Sequence, residues 1–120
     1  KRLTSDRFKV ITSGMWPTIP AQALNSIITG KPYPLRVLYF YGYNPMVCAA
    51  NTKKVYEALK KVESLAVAEL YMTPTAELAD IVLPAATHYE VENDFMVFGA
   101  HIMLRRKAID PLWESRHDTE

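Results

Sequence analysis

Cysteine is almost missing from this sequence: Cys48 stands alone among 120 residues. One thiol excludes an internal disulfide and cannot build a cysteine-rich zinc site. Glycine is also sparse, with four in the chain, and none of them forms the GxGxxG phosphate loop. Charge of neither sign dominates, since 14 basic side chains face 13 acidic ones for a formal net charge of +1. That balance leaves no basic footprint for nucleic acid. No apolar run approaches the roughly 20 residues a membrane helix needs, and the opening KRLTSDRFKV lacks the apolar region of a signal peptide.

What is present points to one ordinary globular unit. A hydrophobic share of 49% against 22% charged residues lies far from the composition of disordered chains. At this length a single core burying roughly two thirds of the extended-chain surface is expected. The chain opens without Met and stops at HDTE after a loop-like segment, so a piece of a longer protein is expected.

Residues 1–17 carry mixed charge without a clean period and read as a poorly specified arm. A domain of residues 18–120 follows. Over 18–30, Thr18 can cap, Pro20 suits a first turn, Leu24, Ile27 and Ile28 recur at helical spacing, and Gly30 is a natural stop. KPYP makes a rigid connector into RVLYFYG, residues 36–42, whose β-branched and aromatic centre reads as a buried parallel strand. GYNP then turns the chain, and Asn51 or Thr52 caps a helix with Val55, Ala58, Leu59 and Val62 on one face. SLAVAEL, residues 64–70, reads as a second buried strand reached by a right-handed crossover. Thr73 with Pro74 opens a short helix, DIVLPA gives a third strand, and FMVFGAHIML a further strand or a hairpin around Gly99. RRKAIDPLWESRHDTE reads as a polar tail. Repeated strand and helix predict an α/β fold, a three-layer Rossmann-like domain with a mostly parallel sheet flanked by helices.

In such a sheet ligands bind beyond the carboxyl ends of the strands. Three segments converge there: Gly42 to Pro45 after the first strand, Glu69 to Thr73 after the second, and Pro84 to His88 after the third. Gly42 allows a sharp turn, Asn44 offers a donor and an acceptor, and the helix that follows presents N–H groups suited to phosphate. A turn chosen for its geometry accounts for the same residues. Glu69 suits ribose hydroxyls or the paired N–H donors of a guanine edge, or is simply a strand-end acid in water. Capping accounts for Thr73, and local backbone bonding at a strand start accounts for Asp80. His88, Glu90 and Glu92 share one side of a possible strand and could bind metal or do acid-base work, or form a solvated face. Cys48 lacks a CxxC partner and reads as a small buried residue. Arg105, Arg106 and Lys107 could meet phosphates or a partner's acids, or form a solvated edge.

The blocks GKPYPLRVLYFYGYNP, VAELYMTPTAELADIVLPAATHYE and AIDPLWESRHD together resemble the molybdopterin oxidoreductases of the dimethyl sulfoxide reductase family. The resemblance covers about nine tenths of the chain, from Trp16 onward, and matches the α/β domain that holds one of two molybdopterin guanine dinucleotides. It implies that Asn44 contacts the nucleotide, and that Ala68 and Glu69 match the strand-end pair whose acid grips guanosine. Glu69 is one methylene longer than the family's usual aspartate. Thr73 matches a threonine close to that nucleotide, and Asp118 an acid used on the dinucleotide by some members. Val91 replaces a lysine common among nitrate reductases, and Asn93 replaces a glycine, which with ESRHD is more like the thiosulfate and polysulfide reductase branch. The family's iron–sulfur cysteines and its molybdenum ligand are not in this sequence, and Cys48 is in the wrong strand context to be that ligand.

The implied function is that of a cofactor-binding domain in an oxidoreductase of anaerobic respiration, with no catalytic or metal-ligating residue of its own. The implied cofactor is molybdopterin guanine dinucleotide with molybdenum or tungsten, and an iron–sulfur cluster in another domain. Implied partners are the remaining domains of the catalytic subunit, an iron–sulfur electron-transfer subunit and a membrane anchor subunit. A bacterial or archaeal parent is implied, and its compartment, cytoplasmic or periplasmic, is left open. Two other classes fit the residues: a stand-alone module binding another nucleotide or small ligand, and a docking domain whose face around residues 89–98 packs on a neighbour.

Overall fold

The computed structural model describes residues 20–117, which leaves the arm of residues 1–17, the cap at Thr18 and Asp118 outside the described residues. Helix α1, Pro20–Thr29, ends where Gly30 takes a φ of +71° and donates its N–H to the Ser26 carbonyl at 2.8 Å. A positive φ is cheap only without a Cβ, so glycine stops the helix as the sequence suggests. The connector holds a cis Lys31–Pro32 peptide and leads into β1, Val37–Tyr41.

After β1 come a one-turn helix α2, Pro45–Cys48, and the longer α3, Thr52–Leu59. Asn51 caps α3: its backbone sits at φ +62°, a region asparagine tolerates, and its side chain accepts from the Lys54 N–H at 3.1 Å. The chain returns through β2, Ser64–Glu69, crosses a single 3-10 turn at Ala76–Leu78, and enters β3, Ile81–Pro84. The order β1-β2-β3 is parallel throughout, with Tyr41 paired to Ala68 and Glu69 to Pro84. The carboxyl ends of all three strands therefore share one edge.

Val55, Leu59, Leu65, Val67 and Ala76 form the core, with Leu24, Leu38, Phe40 and Met46 packed against them. This places α1, α2, α3 and the 3-10 turn on the sheet face that carries Leu38 and Phe40. Strand β1 differs from the expected buried strand. It pairs with β2 alone among the described residues, and its other face, Val37, Tyr39 and Tyr41, is exposed. An apolar run identifies a strand, but it does not say whether the strand lies at an edge.

Three further expectations are corrected. Residues 88–90 form a turn, so His88, Glu90 and Glu92 do not share a strand face; the strand begins later, as β4, Asn93–Phe98, in an antiparallel hairpin with β5, His101–Arg105. Cys48 is exposed, because it sits at the end of the one-turn α2 with its thiol donating to the Asn44 carbonyl at 3.0 Å. Asp80 bonds backbone far away in sequence rather than locally: its Oδ2 accepts from the Leu65 N–H and its own N–H donates to the Leu65 carbonyl, both at 2.8 Å.

The tail also docks instead of trailing away. Arg116 bridges to Ala85 in parallel, its N–H donating to the Pro84 carbonyl at 3.1 Å and its carbonyl accepting from Ala86 at 2.8 Å. Ala108 donates to the Tyr89 carbonyl at 2.8 Å. Arg116 thus adds a single bridge beyond the end of β3, with the turn of residues 112–115 leading into it.

Candidate functional site

The sequence-predicted site residues fall on the carboxyl edge of the sheet, but they divide into two groups. Gly42 turns the chain out of β1 at φ +56°, and no atom lies within 4 Å of where a Cβ would stand. Its glycine is needed for the backbone angle and not for close approach of a neighbour.

Asn44 is held by the protein itself. Its Oδ1 accepts from the hydroxyl of fully buried Thr75 at 2.5 Å, and that hydroxyl accepts from the Met46 N–H at 3.2 Å. The Asn44 carbonyl takes the N–H groups of Val47 at 3.1 Å and Cys48 at 3.0 Å. Pro45 has no N–H, and the N–H groups of Met46, Val47 and Cys48 are taken by Thr75 and the Asn44 carbonyl, so the one-turn α2 leaves none of these to a phosphate. Among the described residues the Asn44 Nδ2 hydrogens have no partner, and these are what it can offer a ligand.

Thr73 likewise works locally. Its hydroxyl accepts from the Ala76 N–H at 3.3 Å and its carbonyl from Glu77 at 2.9 Å, which ties it to the start of a 3-10 turn shorter than the predicted helix.

Ala68 and Glu69 open onto two concavities. One, about 620 Å³, is bounded by Glu69, Tyr71, Thr87, Glu90 and residues 112–115. The other, about 660 Å³, is bounded by Tyr39, Ala68, Leu83, Arg116 and His117. Trp113 lines both. Glu69 is half-buried; its Oε1 accepts from the Leu70 N–H at 2.9 Å, while Oε2 has no partner among the described residues. One oxygen fixes the carboxylate and the other is left as an acceptor. A third hollow of about 160 Å³, between α1 and β1, is walled by Leu24, Ile27, Leu38 and Phe40 and offers nothing to a polar ligand.

Glu90 has a role the sequence reading missed. Only 4% exposed, it takes the Thr87 N–H at 2.6 Å and the Thr87 hydroxyl at 2.8 Å on Oε2, and the Leu112 N–H at 3.2 Å on Oε1. The Thr87 backbone and side-chain bonds hold its carboxyl below the usual range against the upward push of burial, and the Leu112 bond adds to them. The carboxylate ties residues 112–115 to the wall of the Glu69 groove. Its spacing was the available signal, since Thr-x-x-Glu is the pattern by which a glutamate reaches back to a hydroxyl residue's N–H.

The basic run does not act as a unit. Lys107 pairs with Asp110 at 2.6 Å, Arg106 is exposed, and Arg105 has a buried Nε without a partner among the described residues. No group of three or more His, Cys, Asp or Glu side chains is placed to hold a metal among the described residues. No helix among them is long and apolar enough to cross a membrane.

Residues 17–120 match the family model for molybdopterin oxidoreductases. The chain belongs to the molybdopterin oxidoreductase family. It is 39% identical over 84 residues to the F420-dependent formate dehydrogenase subunit alpha of Methanocaldococcus jannaschii, covering 70% of this chain and 12% of that one. It is 38% identical over 95 residues to the dimethyl sulfoxide/trimethylamine N-oxide reductase of Rhodobacter capsulatus, covering 75% and 11%. Among solved structures, acetylene hydratase from Pelobacter acetylenicus superposes with a TM-score of 0.75 at 23% identity, over 83% of this chain and 14% of that chain. At that identity the likeness is one of fold. The chain therefore spans little more than a tenth of the length of these curated relatives. Family membership implies molybdopterin carrying molybdenum or tungsten, and family members are parts of larger catalytic subunits.

Proposed function

We propose that this chain is the domain of a molybdenum or tungsten oxidoreductase that holds the guanosine and pyrophosphate end of one molybdopterin guanine dinucleotide. The observation that carries the reading is the Glu69 carboxylate. It ends a central parallel strand, is braced on one oxygen by the Leu70 N–H at 2.9 Å, and lines a groove of about 620 Å³. An ionised carboxylate accepts only, and guanine is the base whose edge offers two adjacent N–H donors to it. The acceptor at Glu69 and the groove beside it therefore fit a guanine nucleotide.

Gly42 shapes the first loop, the Asn44 Nδ2 hydrogens supply donors, and Thr73 shapes the loop after Glu69. Ala68, at 4% exposure, keeps the strand end small where the second concavity meets the sheet. Asp118 is proposed to add an acid after residues 112–117. When bound, the cofactor supplies two-electron redox chemistry at its metal, while this domain's share is orientation and electrostatics. In this reading the metal ligand, an iron–sulfur cluster, an electron-transfer subunit and a membrane anchor subunit belong to the rest of the assembly. The domain boundaries are proposed as residues 18–120, with 1–17 as an arm.

Titration of the cofactor-free protein with GDP and ADP tests the proposal. GDP is expected to bind more tightly, and Glu69→Ala to erase that preference. Equal affinity for the two in the unmodified protein would instead favour a generic nucleotide module.

A further inference from the structure

Trp113 is the least economical residue in the described structure. Its backbone sits at φ +50° and its side chain is 94% exposed. A residue with a Cβ is strained at that angle, and an indole gains nothing from standing in water. Strain held at one place by its surroundings is a pointer to function.

The surroundings do hold it. Ser115 closes the turn by donating its N–H at 3.0 Å and its hydroxyl at 2.7 Å to the Leu112 carbonyl. Glu90 anchors the turn from below through the Leu112 N–H at 3.2 Å, and Arg116 pins its far end to Pro84 at 3.1 Å. The indole is thus presented on a tethered ridge between the two concavities, with Glu69 on the wall of one of them. A planar aromatic face beside a carboxylate with an open oxygen is the pair of features a nucleobase needs: one for its face, one for its edge.

We infer that Trp113 stacks on the purine base whose edge meets Glu69, and so sets affinity for the base while Glu69 sets its identity. This rests on the guanosine reading of the Glu69 groove. Stacking tolerates any base, because every base has a π face. The two residues should therefore separate in a binding experiment.

The test uses the cofactor-free protein and four forms: unmodified, Trp113→Phe, Trp113→Gly and Glu69→Ala, each titrated with GDP, ADP and ribose 5-phosphate. Glycine suits the φ of position 113, so Trp113→Gly removes the ring without disturbing the turn. Trp113→Gly is expected to weaken GDP and ADP alike by roughly ten- to a hundredfold. Trp113→Phe is expected to stay within about threefold of the unmodified protein, and ribose 5-phosphate to bind equally to it and both Trp113 forms. Unchanged GDP affinity in Trp113→Gly, with Glu69→Ala weakened, would overturn the stacking role and leave the guanosine site standing. An equal loss of ribose 5-phosphate in Trp113→Gly would make the turn merely structural and also overturn it. No saturable GDP binding by the unmodified protein would remove the guanosine reading, and the stacking role with it.

Discussion

Replacing Thr75 with valine tests whether the Asn44 loop is built by the protein or left for the ligand to build. Valine keeps the shape and removes the hydroxyl, which donates to Asn44 Oδ1 at 2.5 Å and accepts from the Met46 N–H at 3.2 Å. Thr75 is fully buried, so water does not replace it at Met46, whereas half-buried Asn44 recovers part of its loss from solvent. An unsatisfied buried donor costs about 1–3 kcal/mol. With the partial loss at Asn44, Thr75→Val is expected to destabilise the fold by about 2–3 kcal/mol. At roughly 4 °C per kcal/mol for a domain of this size, the melting temperature falls by about 8–12 °C. Urea unfolding checks this as a lower midpoint at unchanged slope. Thr75→Ser keeps the hydroxyl and loses one methyl, so it should cost only about 1 kcal/mol. A Thr75→Val midpoint equal to that of the unmodified protein, or a serine form as damaged as the valine form, would refute the reasoning.

Two further predictions concern the same edge. Gly42→Ala should cost about 1–2 kcal/mol from backbone strain alone, because φ is +56° and no atom crowds the added Cβ; urea midpoints measure it, and a neutral result would mean the turn relaxes freely. The Glu90 carboxyl is depressed in the fold by its Thr87 and Leu112 bonds. Its tether is therefore complete above the ordinary glutamate range and is released as pH falls through the lower folded-state value. The Leu112 amide resonance should titrate with that acid step, and Glu90→Gln should abolish it. Asp110, also depressed by its Lys107 pair, should leave the Leu112 signal unaffected when changed to asparagine.

Local signals carried most of the fold. The runs VLYFY, SLAVAE and IVLP became three parallel strands, and Gly30, Asn51 and Gly99 acted where their backbone freedom or capping chemistry suggested. What failed depended on partners distant in sequence. Nothing within residues 36–42 announces that β1 has no second neighbour among the described residues. Asp80 reaches Leu65, 15 positions away, and Glu90 reaches Leu112, 22 positions away. Alternation in THYEVEND suggested a strand, yet the Thr87–Glu90 bonds close a turn first. At the site, strand ends were legible because parallel topology brings Gly42, Glu69 and Pro84 to one edge. Whether Asn44 and Thr73 face outward was not, because their bonds to Thr75 and Ala76 exist only once the 3-10 turn has packed beside α2.

The central claim is that Glu69 secures the guanosine end of the cofactor. Purifying the full-length protein with Glu69→Ala and measuring guanine released per protein on acid hydrolysis addresses it directly. A charge-assisted hydrogen bond contributes about 1.5–3 kcal/mol, so guanine content is predicted to fall severalfold or more while the unfolding midpoint of the cofactor-free protein stays the same, since the side chain bonds only its neighbour Leu70. Unchanged guanine content in the Glu69→Ala protein would contradict the account.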